Sequence, residues 1–424
     1  MAPTVSPRSL TPARPRRLWL RPAAAAIPIY LAACAVPDGG LFRAERFRDV
    51  HLYQGFAHAV FAGQVPYRDF FMEYPPGALA VFLPPAAFGS AHYNAAFKCL
   101  LALCGVATLL LLASVLAKLG VSTTRLWAAV LLFALSPLAL GPISLNTYDA
   151  WPALLTLAAL ALLLAGRDVA AFALLGAAFA AKVYPVVLIP PAAIFVWRTH
   201  GRAAALRALG ASVAVAALFV VPFLVVAPHG LAESLRAQAA RSLQVESLGG
   251  SLLAVTDRLG LYSATVVHRT GHAISYDLVG SLPETLAVLS SIAQALTVAA
   301  VAWFYLRGRA DPRRLAFAFA AALAGFLAFT RFFSPQYLVW VVPFVLLLEP
   351  AAWLLAAAAL ILAQVWFFHY RDVFALGGYV WLVLIRDLLV LTLFALALVR
   401  LGRRAPENED PVLLEHELPL RIPS

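Results

Sequence analysis

VAAFALLGAAFAAKVYPVVLIPPAAIFVW, running from Val169 to Trp197, is the stretch whose reading decides the fold. It is apolar except at its middle, where Lys182-Val183-Tyr184-Pro185 interrupts it. About 20 apolar residues cross a ~30 Å hydrocarbon core, so one long helix is possible. Two half-length helices meeting at Lys182 are the other solution. Charge separates the two. Arg167 precedes the stretch, and Arg198, Arg202 and Arg207 follow it. Basic residues gather in cytoplasmic loops. A single crossing would invert every later loop. It would put Arg307, Arg309, Arg313 and Arg314 outside, together with Arg400, Arg403 and Arg404. Two short arms keep all these clusters on one side. The sequence therefore predicts a helical hairpin with its tip at Lys182. Each arm is roughly 20 Å long at 1.5 Å per residue. Its tip then lies below the membrane surface and faces a protein-lined cavity.

Working outward, apolar runs recur from Trp19 to Val399. Apolar residues make up 62% of the 424 residues and charged residues 12%. A soluble domain is nearer half apolar and a quarter charged. The candidate spans are Trp19–Val36, Tyr93–Ala117, Leu126–Ile143, Ala150–Ala165, Val169–Ala181, Pro185–Trp197, Ala203–Ala227, Thr285–Tyr305, Leu315–Phe329, Leu338–Leu348, Ala351–Phe368 and Tyr379–Val399. The expected fold is all-α: a polytopic transmembrane helical protein of about 11–12 membrane segments, with outer-face loops. Residues 1–404 form the transmembrane domain, and the acidic stretch 405–424 reads as a disordered cytoplasmic tail. Both termini are then cytoplasmic. The basic residues before Ala23 resemble a signal peptide, but the many later spans favour an uncleaved first helix. His51–Gly63 reads as an amphipathic helix in the first outer loop. Pro75–Gly89 is apolar but short, hence interfacial or re-entrant. The net charge of +11 follows from basic loop clusters, so nucleic acid is not an expected partner. Cys34, Cys99 and Cys104 lie within apolar runs without metal-ligand spacing.

The cytoplasmic loops hold mainly Arg, a topogenic pattern. The outer side is more varied. It carries Asp49, Arg68, Asp69 and Glu73 in the first loop, then Asn146, Tyr148 and Asp149. Lys182 and Tyr184 occupy the hairpin tip. Arg241, Gln244 and Glu246 follow, then Arg331, Gln336 and Tyr337, then His369, Arg371 and Asp372. Ionisable groups near membrane depth are expensive, and they mark functional sites. Carboxylates accept protons from hydroxyls, and Lys and Arg neutralise phosphates. That combination suits transfer from a lipid-linked phosphate donor. No nucleotide-binding loop, H-E-x-x-H or G-x-S-x-G motif occurs, and no cofactor is expected. Asp69 suits ordering of its loop beside Arg68, and Asp149 suits either acceptor binding or capping of the next helix. Arg386 and Asp387, inside the last span, suit pairing between helices. Trp151, Trp340 and Trp381 fit an interfacial belt.

Six stretches carry a resemblance. They are Arg48-Asp49-Val50, Val65 to Pro76 (VPYRDFFMEYPP), Asn146-Thr147-Tyr148-Asp149, Lys182-Val183-Tyr184-Pro185, Arg241 to Ser247, and Ser334-Pro335-Gln336-Tyr337. With them the chain resembles the polytopic glycosyltransferases of the GT-C type, most closely glycosyltransferase family 87. That family includes polyprenol-phosphate-mannose-dependent mannosyltransferases. The resemblance implies a polyprenyl-phosphate-sugar donor, with mannose favoured, and inversion at the sugar carbon. It implies a general base in the first outer loop, carried here onto Asp49. The acceptor would be a glycolipid or cell-envelope glycan beyond the cytoplasmic membrane. Lys182, Tyr184, Asp149, Arg331, Gln336, Tyr337, Arg371, Glu73 and Asp69 are the expected substrate-binding residues. Many GT-C enzymes carry paired acids in this loop. Here Arg48 and Val50 flank Asp49, so no divalent metal is expected. A transporter or lipid-linked-sugar flippase is the alternative reading. Such proteins show repeat symmetry about mid-membrane sites, whereas this chain has no internal repeat and its polar groups favour one side.

Overall fold

A computed structural model of the chain describes residues 19–37, 49–269 and 275–403. The tail expected at 405–424, Arg48 and the basic residues before Leu18 lie outside the described residues. Each predicted span is helical: Leu20–Val36, Tyr93–Lys118, Thr123–Leu140, Ala150–Leu163, Asp168–Ala181, Ile189–His200, Arg202–Val226, Ser281–Arg307, Pro312–Ala328, Leu338–Val345, Pro350–Phe368 and Val380–Gly402. Among the described residues, 6 helices are long and apolar enough to cross a membrane. The protein is an all-α, polytopic membrane protein.

The stretch 169–197 breaks at Lys182, whose backbone is extended at φ −158°, ψ 142°. Pro185 cannot donate the hydrogen bond that would continue a helix, but it is tolerated in the first turn of a new one. A 3-10 turn over Tyr184–Leu188 accordingly leads into Ile189–His200. The two arms return to the same end of the bundle. His200 closes the second arm, and its Nδ1 lies 2.6 Å from Oδ2 of Asp168, which opens the first.

The basic clusters gather at this same end, and they have a second role that their topogenic reading did not include. Helix C-termini leave carbonyls unpaired and partly negative. Arg125 donates to the carbonyls of Leu347 and Leu348 at 3.0 and 2.6 Å. Lys118 donates to Ala161, Arg198 to Leu306 and Arg314 to Leu401, each near a helix end. The cations thus tie neighbouring helix ends together across the loops.

At the opposite end, Asp49–Phe61 forms a helix where one was expected over His51–Gly63. The segment 75–89 becomes a run of short turns, Pro76–Ala78, Leu79–Phe82 and Pro84–Phe88. This segment abuts the hairpin tip. A Cβ on Gly77 would stand 2.6 Å from the carbonyl carbon of Ala180, closer than real contacts allow. Gly77→Ala is expected to lower stability by about 1–3 kcal/mol, as overpacking does. An unchanged unfolding temperature in detergent would show that the contact relaxes freely.

The segment between Val226 and Ser281 holds more structure than its sequence suggested. It contains the helices Pro228–Ala239 and Leu248–Arg258. Between them and the next span, Thr265–Arg269 pairs antiparallel with Ser275–Val279, with Val267 opposite Asp277. A small core including Leu243, Val245, Leu253, Trp366 and Val380 lies beneath this cap. It is separate from the main core of the bundle.

Candidate active site

Six separate segments meet at the end opposite the basic clusters. The central contact joins Lys182 at the hairpin tip to Asp149 at the start of Ala150–Leu163. Lys182 Nζ lies 2.5 Å from Asp149 Oδ1. The same oxygen accepts from Trp340 Nε1 at 2.5 Å. Asp149 is 1% exposed and Lys182 14%. Asp149 makes no capping bond to its own helix, so the ion pair, and not capping, accounts for its burial. Aromatic rings surround the ammonium. It sits 4.5 Å from the Tyr148 ring centre, 5.0 Å from Trp340 and 5.3 Å from Tyr337. Tyr184 stacks on Trp340 at 4.0 Å, and Tyr337 stacks on Trp340 at 4.3 Å. Desolvated cation–π contacts of this kind hold a cation without cancelling its charge.

A second ion pair lies beside the first. Arg241 Nη2 meets Glu73 Oε2 at 3.2 Å, and its guanidinium lies 5.0 Å from the Phe332 ring centre. Gln238 donates to the Glu73 carbonyl at 3.0 Å, and Ser234 donates to that of Met72 at 2.8 Å. These bonds fix the 72–73 backbone against the helix Pro228–Ala239. Tyr67, in the same loop, adopts φ +66°, unusual for a bulky residue. Its hydroxyl donates to the Tyr74 carbonyl at 2.5 Å. Strained backbone of this kind concentrates at functional sites.

Asp49 completes the cluster. It lies in the first turn of the helix Asp49–Phe61 and is half-buried. Burial, then the charges of Glu73 and Asp149, push its carboxyl up to about 6, while Lys182 opposes the rise. Burial also raises Glu73, against the pull of Arg241 and Lys182. The carboxylates at 49, 73 and 149 and the cations at 182 and 241 therefore form one electrostatic unit. Two polar atoms in it, Asp149 Oδ2 and Arg241 Nε, are buried with no hydrogen-bond partner among the described residues. Native interiors leave few such atoms, and each asks for an explanation. A bound substrate would supply one. Among the described residues, no group of three or more His, Cys, Asp or Glu is arranged to hold a metal ion.

Other expected substrate-binding residues have different partners. Asp69 closes its own turn: it pairs with Arg68 at 2.9 Å and accepts from the Val65 amide at 2.7 Å. Those bonds hold its carboxyl at about 2. Arg331 donates to the Ala239 carbonyl at 2.7 Å, at the C-terminal end of a helix. Gln336 accepts from Ser334 within one turn. Arg371 is exposed on the short helix Tyr370–Phe374 and contacts Tyr370. Trp340, expected in an interfacial belt, is instead buried at 3% and bonded to Asp149. Arg241 was legible as a polar residue of its loop and as the start of the stretch Arg241 to Ser247, but not as a member of the site. Its partner Glu73 is 168 residues away in sequence, and no spacing rule connects them.

The model for glycosyltransferase family 87 matches residues 71–330, more than half of the chain. The matched region includes Glu73, Asp149, Lys182 and Arg241, while Asp49 and Trp340 flank it. No curated protein matches the chain.

Proposed function

The chain belongs to glycosyltransferase family 87, and we propose that it moves a sugar from a polyprenyl-phosphate donor to a glycolipid or cell-envelope glycan. Mannose is the sugar that the sequence resemblance favours. In this reading Asp49 accepts the proton of an acceptor hydroxyl. The hydroxyl oxygen attacks the anomeric carbon from the side opposite the phosphate. The bond from that carbon to the phosphate oxygen breaks, and its electron pair leaves with the polyprenyl phosphate. The configuration inverts. Lys182 and Arg241 hold the phosphate, and both keep donors free. Lys182 Nζ spends one bond on Asp149, and Arg241 keeps an unpaired Nε. Cations fixed beforehand in a partly dry site stabilise a leaving phosphate at no further reorganisation cost. Tyr184, Tyr337 and Trp340 keep water from the ammonium.

The observation that supports this reading best is that Asp49 lies within electrostatic reach of Glu73, Asp149 and Lys182. A carboxyl at about 6 is poised to be ionised near neutral pH and still basic enough to take a proton. Sidedness follows from the positive-inside rule. With the basic helix ends in the cytoplasm, the cluster opens on the outer face.

The test uses purified protein in liposomes supplied with radiolabelled polyprenyl-phosphate mannose and extracted envelope lipids. Label is expected to appear covalently on an acceptor. Label that crosses the bilayer while still on its carrier would overturn the proposal in favour of a transporter.

A further inference from the structure

Arg386 and Asp387 lie inside the helix Val380–Gly402, and both are fully buried at 0% exposure. Charges at that depth are costly and persist where they are paired and do something specific. These two pair with each other at 2.9 Å. Asp387 Oδ2 also accepts from Ser251 Oγ at 2.7 Å, which fixes the helix Leu248–Arg258. The guanidinium turns outward to two backbone carbonyls, Glu246 at 2.5 Å and Phe333 at 3.4 Å. Its central carbon lies over the Phe333 ring, 4.0 Å from the ring centre.

Those two carbonyls belong to the two outer loops that reach the site. One loop runs from Arg241 to Ser247. The other runs from Arg331 to Tyr337. The Gln244 amide donates to the Arg331 carbonyl at 2.9 Å and joins them. From Glu246 the first loop leads back to Arg241, the partner of Glu73. From Phe333 the second leads to Tyr337, which stacks on Trp340 and so supports Asp149 and Lys182. One planar fork, able to bind two acceptors at fixed angles, thus sets the spacing of both loops.

We propose that Arg386, braced by Asp387, is a positioning residue that sets the distance between the two phosphate-holding cations, Arg241 and Lys182. It touches no substrate. Its effect falls on donor binding. This inference rests on the phosphate role given above to those cations.

The experiment compares wild type, Arg386→Lys and the apolar double variant Arg386→Met/Asp387→Leu in liposomes. Lysine keeps the charge but cannot fork. A well-packed apolar pair removes both members of the ion pair together, and Glu246, whose carboxyl also feels Arg386, keeps Arg241 as a neighbouring cation, so the double variant is expected to fold. Both variants are expected to raise the donor KM about tenfold, with kcat and acceptor KM within about twofold of wild type. Amide hydrogen exchange should rise at 243–247 and 331–334 in both. A double variant with wild-type donor KM would overturn the proposal. So would an equal fall in kcat with KM unchanged. If wild type transfers no sugar, the functional reading fails by itself, and the exchange data judge the loop coupling alone.

Discussion

Asp49→Asn is expected to lower the rate of sugar transfer by about 10²–10⁴-fold, the usual contribution of a general base. Asparagine keeps the shape of the side chain but cannot accept the proton. The substitution also removes one negative charge from a cluster that contains Glu73 and Asp149. A phosphate-bearing donor should therefore bind as well as before or slightly better. The loss belongs in kcat, with donor KM unchanged or lower. The pH profile gives a second reading of the same group. Burial and the neighbouring carboxylates raise Asp49 to about 6, so its ionised fraction grows as pH rises through that value. Activity in kcat/KM should climb between about pH 5 and 7 and level off above, because that ratio reports the free enzyme. Glu73 is raised too, and it is the competing explanation for such a limb. Glu73→Gln should keep the limb, and Asp49→Asn should flatten its residual activity across it. Transfer at the wild-type rate by folded Asp49→Asn would remove the base from the mechanism.

Much of the bundle was legible because membrane burial writes itself into long apolar runs and basic loops. The hairpin at Lys182 is the clearest case. Periodicity alone leaves 169–197 ambiguous, and the arginines on both flanks resolve it, as the His200–Asp168 contact confirms. The cap built from 228–279 was far less legible. Its helices and strands are short and lie among polar residues, and their stability comes from packing on Trp366 and Val380, far away in sequence. Within the site, the types of the residues could be read, but their pairings could not. Asp149 and Lys182 are 33 residues apart, and Glu73 and Arg241 168. Arg331 and Arg371 had as good a claim as Arg241 by sequence. What separates them is position: one lies at a helix end, one on an exposed short helix and one beside Glu73.

Breaking the Asp149–Lys182 pair should cost much stability, and the two single losses should differ. Breaking a buried pair costs about 3–5 kcal/mol, mostly from the charge left behind. Lys182→Met leaves a carboxylate that is 1% exposed, with Trp340 as its one remaining hydrogen-bond donor among the described residues. Asp149→Asn leaves an ammonium that is 14% exposed and faces three aromatic rings. Those rings and the partial contact with solvent soften the second loss. Lys182→Met should therefore unfold at the lower temperature, and Asp149→Asn should fall between it and wild type. Lys182→Met/Asp149→Leu removes both charges and should recover most of the stability lost by Lys182→Met, since desolvation no longer opposes folding. It should not recover transfer, because the phosphate has lost one of its cations. Thermal unfolding in detergent, measured beside transfer in liposomes, separates these outcomes. A double variant no more stable than Lys182→Met would mean that the aromatic packing, and not the ion pair, holds the hairpin tip in place.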